Sequence, residues 1–232
     1  MDFSHFHYLT FDCYGTLIDW ETGILDALRP VLDARGCQAG DEDLLELYGK
    51  LESAAQEGEF IAYEDVLILV MEGIAGRFGF EPSPVERRAL VDSIGRWPAF
   101  PDTTASLAAL KVRYDLWILS NIDDDLFART SPNLGVAVDG LVTAQQIRSY
   151  KPSPLHFTTM LERTGASPDR VLHVAQSLFH DIPPARQVGM STVRVNRRSG
   201  RGGSGATPPS AAAPDLEVPD LATLVRMVFS RR

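Results

Sequence analysis

Short apolar runs alternate along this chain with segments whose apolar residues recur every three or four positions. The runs are His7 to Phe11 (HYLTF), Asp115 to Asn121 (DLWILSN), Arg170 to Ser177 (RVLHVAQS) and Ser191 to Asn196 (STVRVN). Their length and apolar content predict buried strands. The helical spacing covers residues 105–113, 154–164 and 182–188. This β-α-β-α order predicts an α/β fold, a doubly wound parallel sheet with helices on both faces. The first run stops at Asp12, the second at Ser120 and Asn121, the third at Gln176 and Ser177. Ligands of such sheets bind at the carboxyl ends of the strands, so these polar residues converge on one crevice.

Residues 20–98 have helical spacing throughout, in ETGILDALRPVLDARG, DEDLLELYGKLESAAQEG, YEDVLILVMEGIAGRFG and PVERRALVDSIGRW. Asp41 is the expected cap of one helix, and Gly36 and Gly79 the expected stops of two others. The division expected is a helical cap domain over 18–98, inserted in a core formed by 1–17 and 99–232. The chain re-enters the core with Pro101 and Asp102 opening a helix. Residues 199–215, rich in Gly, Pro, Ser and Ala, predict a long loop that is either disordered or rims the crevice. The segment DLEV and a terminal helix over PDLATLVRMVFS close the chain.

At 232 residues the chain can bury a substantial core, and 44% apolar with 23% charged residues is ordinary for a globular protein. A formal net charge of -9 argues against nucleic acid and anionic membrane surfaces as partners. Two cysteines, Cys13 and Cys37, make a poor disulfide framework and predict reduced thiols in a cytoplasmic protein. The N-terminus lacks a basic segment followed by an apolar one, and no apolar run reaches the roughly 18 residues of a membrane span.

Four stretches carry candidate chemistry. A carboxylate at a strand end, Asp12, can act as a nucleophile. Lys151, in YKPSP before a helix capped by Ser153 with Pro154 in its first turn, can keep that carboxylate ionised and offset the charge of a bound anion. The hydroxyl of Ser120 and the amide of Asn121 can hold an anionic substrate. Asp181, after HVAQSLFH, can fix the lysine, bind metal or order a water. Singly, each has a plainer reading: Asp12 and Ser120-Asn121 as turn residues, Lys151 as a solvated loop residue, Asp181 as a helix cap.

Together, FDCYGTLID, LSN, YKP and the acid Asp181 resemble the four motifs of the haloacid dehalogenase superfamily, over nearly the whole chain. The resemblance implies a Rossmann-like core with an inserted cap, Asp12 as nucleophile and a covalent aspartyl intermediate, with Lys151 and Asp181 as its catalytic partners. Phosphatases of the superfamily carry a second acid two residues after the nucleophile and bind magnesium. Here that position is Tyr14, and Gln176 stands where a metal-binding acid is usual. DCYGT is similar to the type II 2-haloacid dehalogenases, which implies a metal-free, cofactor-free hydrolysis of a 2-haloacid to a 2-hydroxy acid. By that resemblance Tyr14, Thr16, Ser120, Asn121 and Ser177 surround a small anionic organic acid. The chain departs from the pattern in the cap, where Tyr48-Gly49-Lys50 stands at the place of a halide-binding arginine and Lys50 is the substitute to test. It departs again at Phe157, where a tyrosine is usual. A magnesium-dependent phosphatase and a non-catalytic small-molecule binder are the alternatives, and a homodimer is one candidate assembly, the quaternary state being left open by the sequence.

The remaining features have bland readings. His180 is expected to face solvent at a helix start. Trp20 and Tyr63 either line the cap pocket or pack in the core. Asp123 to Asp125 complement a helix dipole and supply its cap. Cys13 packs on the far side of the strand from Asp12, and the terminal Arg231-Arg232 is a solvated tail.

Overall fold

The computed structural model describes residues 1–230. The terminal arginine pair lies outside the described residues. In chain order the elements are β1 (Tyr8–Phe11), α1 (Trp20–Ala34), α2 (Asp41–Ala55), α3 (Tyr63–Phe78), α4 (Pro84–Arg87), α5 (Ala89–Ser93), α6 (Thr103–Lys111), β2 (Asp115–Ser120), α7 (Asp124–Thr130), β3 (Gly140–Thr143), α8 (Ala144–Ile147), α9 (Leu155–Thr164), β4 (Val171–Ala175), α10 (Ile182–Gln187), β5 (Ser191–Val195), β6 (Leu216–Val218) and α11 (Leu221–Phe229). The six strands form one parallel sheet in the order β3-β2-β1-β4-β5-β6.

Strand β1 lies at the point where the winding reverses. Phe11 pairs with Ile118 of β2 on one side and with Val174 of β4 on the other. The ends of three strands therefore meet around the next residue, Asp12. Leu9, Phe11, Leu116, Ile118, Leu172 and Val174 are fully buried on one face of the sheet, and Thr10, Leu119, Val171 and Ala175 on the other, which explains why these strands do not alternate buried with exposed positions. Each such side chain contributes about 1.5–3 kcal/mol by leaving water.

Helices α1 to α5 form the cap inserted between β1 and β2. Helix α1 starts at the Asp19 cap, whose carboxylate accepts the Thr22 amide. Helix α2 turns Leu44, Leu45, Tyr48, Gly49 and Glu52 inward. Helix α3 buries Val66, Leu67, Val70, Met71 and Ile74 and ends at Gly79, whose φ of 77° is the left-handed conformation of a glycine stop. Gly36, at φ 66°, follows α1 in the same way.

Several local expectations need correction. The cap position of α2 is Gly40, and Asp41 is the first helical residue, paired instead with Arg29. Helix α9 begins at Leu155 with Pro154 at the cap position, because Ser153 still belongs to the turn after Lys151. Asp123 makes no side-chain cap for its own helix. Its Oδ2 accepts the Glu64 amide at 2.8 Å and so caps α3 from the core. Strand β3 and the short α8 were not expected. Residues 199–215 form no helix or strand, and they cross from the core to the cap as a strap. Arg198 at its base pairs with Glu21 of α1 and Glu42 of α2, and the Gly205 and Ala206 amides donate to the same two carboxylates.

Candidate active site

Asp12 directly follows β1 and is nearly buried. One carboxylate oxygen accepts from Lys151 Nζ at 2.8 Å and the other from Thr16 Oγ1 at 2.7 Å. Gly15 makes the turn between Asp12 and Thr16 possible. Its φ is 90°, and a Cβ there would meet the Trp20 indole nitrogen at 2.9 Å. Lys151 is 2% exposed. Its three protons go to Asp12, to Asp181 at 2.7 Å and to the Leu119 carbonyl at 2.9 Å. Asn121 fixes the lysine backbone from both sides, accepting from its N–H at 2.7 Å and donating to its carbonyl at 3.1 Å.

Asp181 is the cap residue of α10 by position, yet its carboxylate makes no cap bond. It receives Lys151 and, at 3.0 Å, His173 Nε2. Because Asp181 is the acceptor, Nε2 carries the histidine proton and Nδ1 takes the Thr10 hydroxyl at 2.8 Å. The second oxygen of Asp181 and Ser120 Oγ are buried with no hydrogen-bond partner among the described residues. Such groups point to a ligand or water.

Burial raises Asp12 above the ordinary carboxylate value, with Lys151 opposing and Asp181 adding to the rise. Burial also opposes the charged form of Asp181, but Lys151 and His173 hold it well below the ordinary range. Burial works against the Lys151 ammonium too, and the two carboxylates outweigh it and raise the lysine. The three groups form one lysine shared by two acids.

Above them lies a cavity of about 40 Å³. Asp12, Tyr14, Ser120, Asn121, Lys151, Ser177 and Asp181 all line it. Of the expected site residues, Thr16 alone is off the wall: it sits behind Asp12, its hydroxyl held between that carboxylate and the Gln176 amide at 2.9 Å. The Tyr14 hydroxyl donates to Thr130 Oγ1 at 2.8 Å, away from Asp12. His180 is not the solvent-facing residue expected. It lines the cavity, its Nδ1 lies 3.2 Å from Ser177 Oγ, and burial lowers it to about 4, so it is neutral near pH 7. Trp20 and Tyr63 line the roof. Lys50 is exposed and off the cavity wall. Phe157 is fully buried, edge-on to the His173 ring at 4.9 Å.

Three participants were not read from the sequence. Thr207 of the strap reaches the cavity and donates to Gln176 Oε1 at 3.2 Å. His173 hides as a polar residue inside an apolar strand. Glu52 is a buried cap carboxyl on the cavity wall, bonded by the Tyr63 hydroxyl at 2.6 Å, with the Tyr48 hydroxyl 3.1 Å behind it. The available signal was its position four residues after Tyr48 on the apolar face of α2.

The donor set does not fit magnesium, which favours several carboxylate oxygens. Tyr14 and Gln176 offer none, and the ammonium of Lys151 occupies the place between Asp12 and Asp181. Among the described residues no group of three or more His, Cys, Asp or Glu side chains is arranged to hold a metal ion. No helix among them is long and apolar enough to cross a membrane.

The chain matches the profile of haloacid dehalogenase-like hydrolases over residues 7–189. It is 30% identical to (S)-2-haloacid dehalogenase 1 of Pseudomonas sp. (strain CBS-3), over 81% of this chain and 83% of that one. It is 28% identical to (S)-2-haloacid dehalogenase of Xanthobacter autotrophicus, over 95% and 94% of the two chains. The solved structure of L-2-haloacid dehalogenase from Xanthobacter autotrophicus superposes with a TM-score of 0.81 at 24% identity, covering 98% of this chain and all of that one (100%). A strand-end aspartate held by a buried lysine, on this sheet and under this cap, is thus accompanied by a match across most of the sequence, and the chain belongs to the haloacid dehalogenase-like hydrolase family.

Proposed function

We propose that this enzyme hydrolyses a 2-haloacid to a 2-hydroxy acid and halide through an ester on Asp12. The observation that carries the reading is the pairing of a lysine-bound Asp12 with a Tyr14 whose hydroxyl is engaged by Thr130. The second position of the motif thus offers no acid. An alkoxide leaving from phosphorus needs a proton, whereas a halide leaving from carbon does not. Asp12 attacks C2 of the acid, the carbon–halogen bond breaks, and the halogen departs with the electron pair. Ser120 Oγ, free of protein partners among the described residues, supports the reading as a donor to the substrate carboxylate. Water then attacks the Asp12 carbonyl, with the free oxygen of Asp181 available to accept a hydrogen bond from it. The bond between that carbon and the ester oxygen breaks, one water proton passes to the departing oxygen and the other is released, and departure of the 2-hydroxy acid leaves Asp12 a carboxylate. In the same reading residues 18–98 act as the cap and 1–17 with 99–232 as the core. An activity panel of 2-chloropropionate, chloroacetate, fluoroacetate and phosphoesters, with and without EDTA, tests it. Halide release that survives chelation is expected. Phosphate release that EDTA abolishes and magnesium restores would reverse the assignment.

A further inference from the structure

Displacement at carbon proceeds in line, so the group that Asp12 expels leaves on the far side of the carbon. Asp12 lies on the cavity floor at the end of β1. From the cap, Trp20, Glu52 and Tyr63 line the same cavity. A departing halide gathers negative charge, and donors fixed where that charge develops stabilise the transition state. Among the described residues the cap puts no cation on the cavity wall. Lys50 is exposed and off the wall, and the space beside Gly49 is filled by the strap: a Cβ there would lie 2.5 Å from the Ala206 carbonyl oxygen. Lys151 has its three protons engaged on the floor, and the Tyr63 hydroxyl is engaged by Glu52. The roof is left with the Trp20 indole and the carboxyl of Glu52.

Glu52 is 4% exposed, and no basic side chain pairs with it among the described residues. Ionised, it would put a third carboxylate charge beside Asp12 and Asp181, with one lysine between them. We propose that Glu52 is a catalytic residue that works as a neutral acid, pointing its proton at the halide that Asp12 displaces. The proposal rests on the dehalogenase reading above. An Asp12 oxygen bonds to C2, the carbon–halogen pair moves onto the halogen, and the Glu52 O–H hydrogen-bonds the anion while keeping its proton.

Burial is the main cause that lifts Glu52 to about 7; the Asp12 charge adds to it, and hydrogen bonds from Tyr63 and Gln56 oppose it. Around it stand Tyr48 from its own helix, Tyr63 from α3, Tyr150, and the floor groups Asp12, Lys151, Asp181 and His180. Burial first, then the Glu52 charge among other causes, raises Tyr48 and Tyr63, and at Tyr150 burial and then the Asp123 charge lead, with the Glu52 charge after them. Lys151 is raised, Asp181 depressed and His180 lowered to about 4. Asp12 is present unchanged in a Glu52 variant, so a difference between variant and parent isolates Glu52.

Chloride binding, followed by NMR line broadening of the chloride signal across about pH 6 to 9, tests this without turnover. Binding to the wild type should weaken about tenfold per pH unit above 7, and in Glu52→Gln it should be flat. In Tyr63→Phe the fall should begin at higher pH, because the lost hydrogen bond favours the ionised acid. A flat wild-type profile, or a fall retained in Glu52→Gln, would overturn the proposal. If Glu52→Gln does not fold, an unshifted midpoint in Tyr63→Phe does the same. Absence of halide release from every 2-haloacid would instead refute the dehalogenase reading, which the binding profile does not depend on.

Discussion

Lys151 is both the cation of the site and a side chain of the core. It is 2% exposed and touches two carboxylates that would otherwise be buried side by side. Removing one partner of a buried pair strands the other charge, which costs about 3–5 kcal/mol. Lys151→Met should therefore abolish turnover and lower the unfolding free energy by about that amount near pH 7. The sign with pH follows from what remains. Without the lysine, Asp12 and Asp181 hold their protons to higher pH, so the stranded charge is relieved as pH falls. The stability deficit against the wild type should shrink between about pH 7 and 5. Urea unfolding at both values checks this, and an equal deficit at both would contradict it. Asp12, Lys151 and Asp181 were legible in the sequence because each lies next to a run that reads as a strand or a helix start. Glu52 was not, because helical spacing marks an inward face without telling a packed carboxyl from one that lines a cavity.

Among the elements, the strap of residues 199–215 has the largest role that composition did not reveal. Its Gly, Ser and Pro content read as loop, which it is. What anchors it lies elsewhere in the chain: Glu21 and Glu42 on cap helices, with Arg198 between them. The strap runs over Gly49 so closely that any side chain there strikes the Ala206 carbonyl. Gly49→Ala should push it off α2, at about 1–3 kcal/mol, the usual range for overpacking. Hydrogen exchange at the Gly205 and Ala206 amides, which donate to Glu42 and Glu21, should accelerate while exchange in β1 and β4 stays slow. Unchanged protection of those two amides would mean that the strap does not bear on α2. Strands β1, β2, β4 and β5 were readable because burial on both faces leaves a largely apolar run. Strand β3, GLVT, was not: it is an edge strand of four residues, two of them only half-buried.

For the whole molecule, the sheet order brings the ends of β1, β2 and β4 together, and the cap closes over them. The cavity of about 40 Å³ at those ends is narrow and is bordered by both the core and the cap. A lifting cap would part the Glu64 amide from Asp123, the Tyr150 hydroxyl from the Ile61 carbonyl, and the strap from α1 and α2. Closure would in turn exclude bulk water during the attack proposed for Asp12. The two-part organisation was legible because a block of helical spacing interrupts the strand–helix alternation. The contacts that latch the parts were not, since they join residues 59 to 185 positions apart. The central claim, that Asp12 becomes covalently bound to substrate carbon, is tested most directly by a single turnover in heavy-oxygen water with enzyme in excess. The label is expected in the Asp12 carboxylate and nearly absent from the hydroxy acid. Label passing straight into the product, with Asp12 unlabelled, would make Asp12 a general base and contradict the ester mechanism.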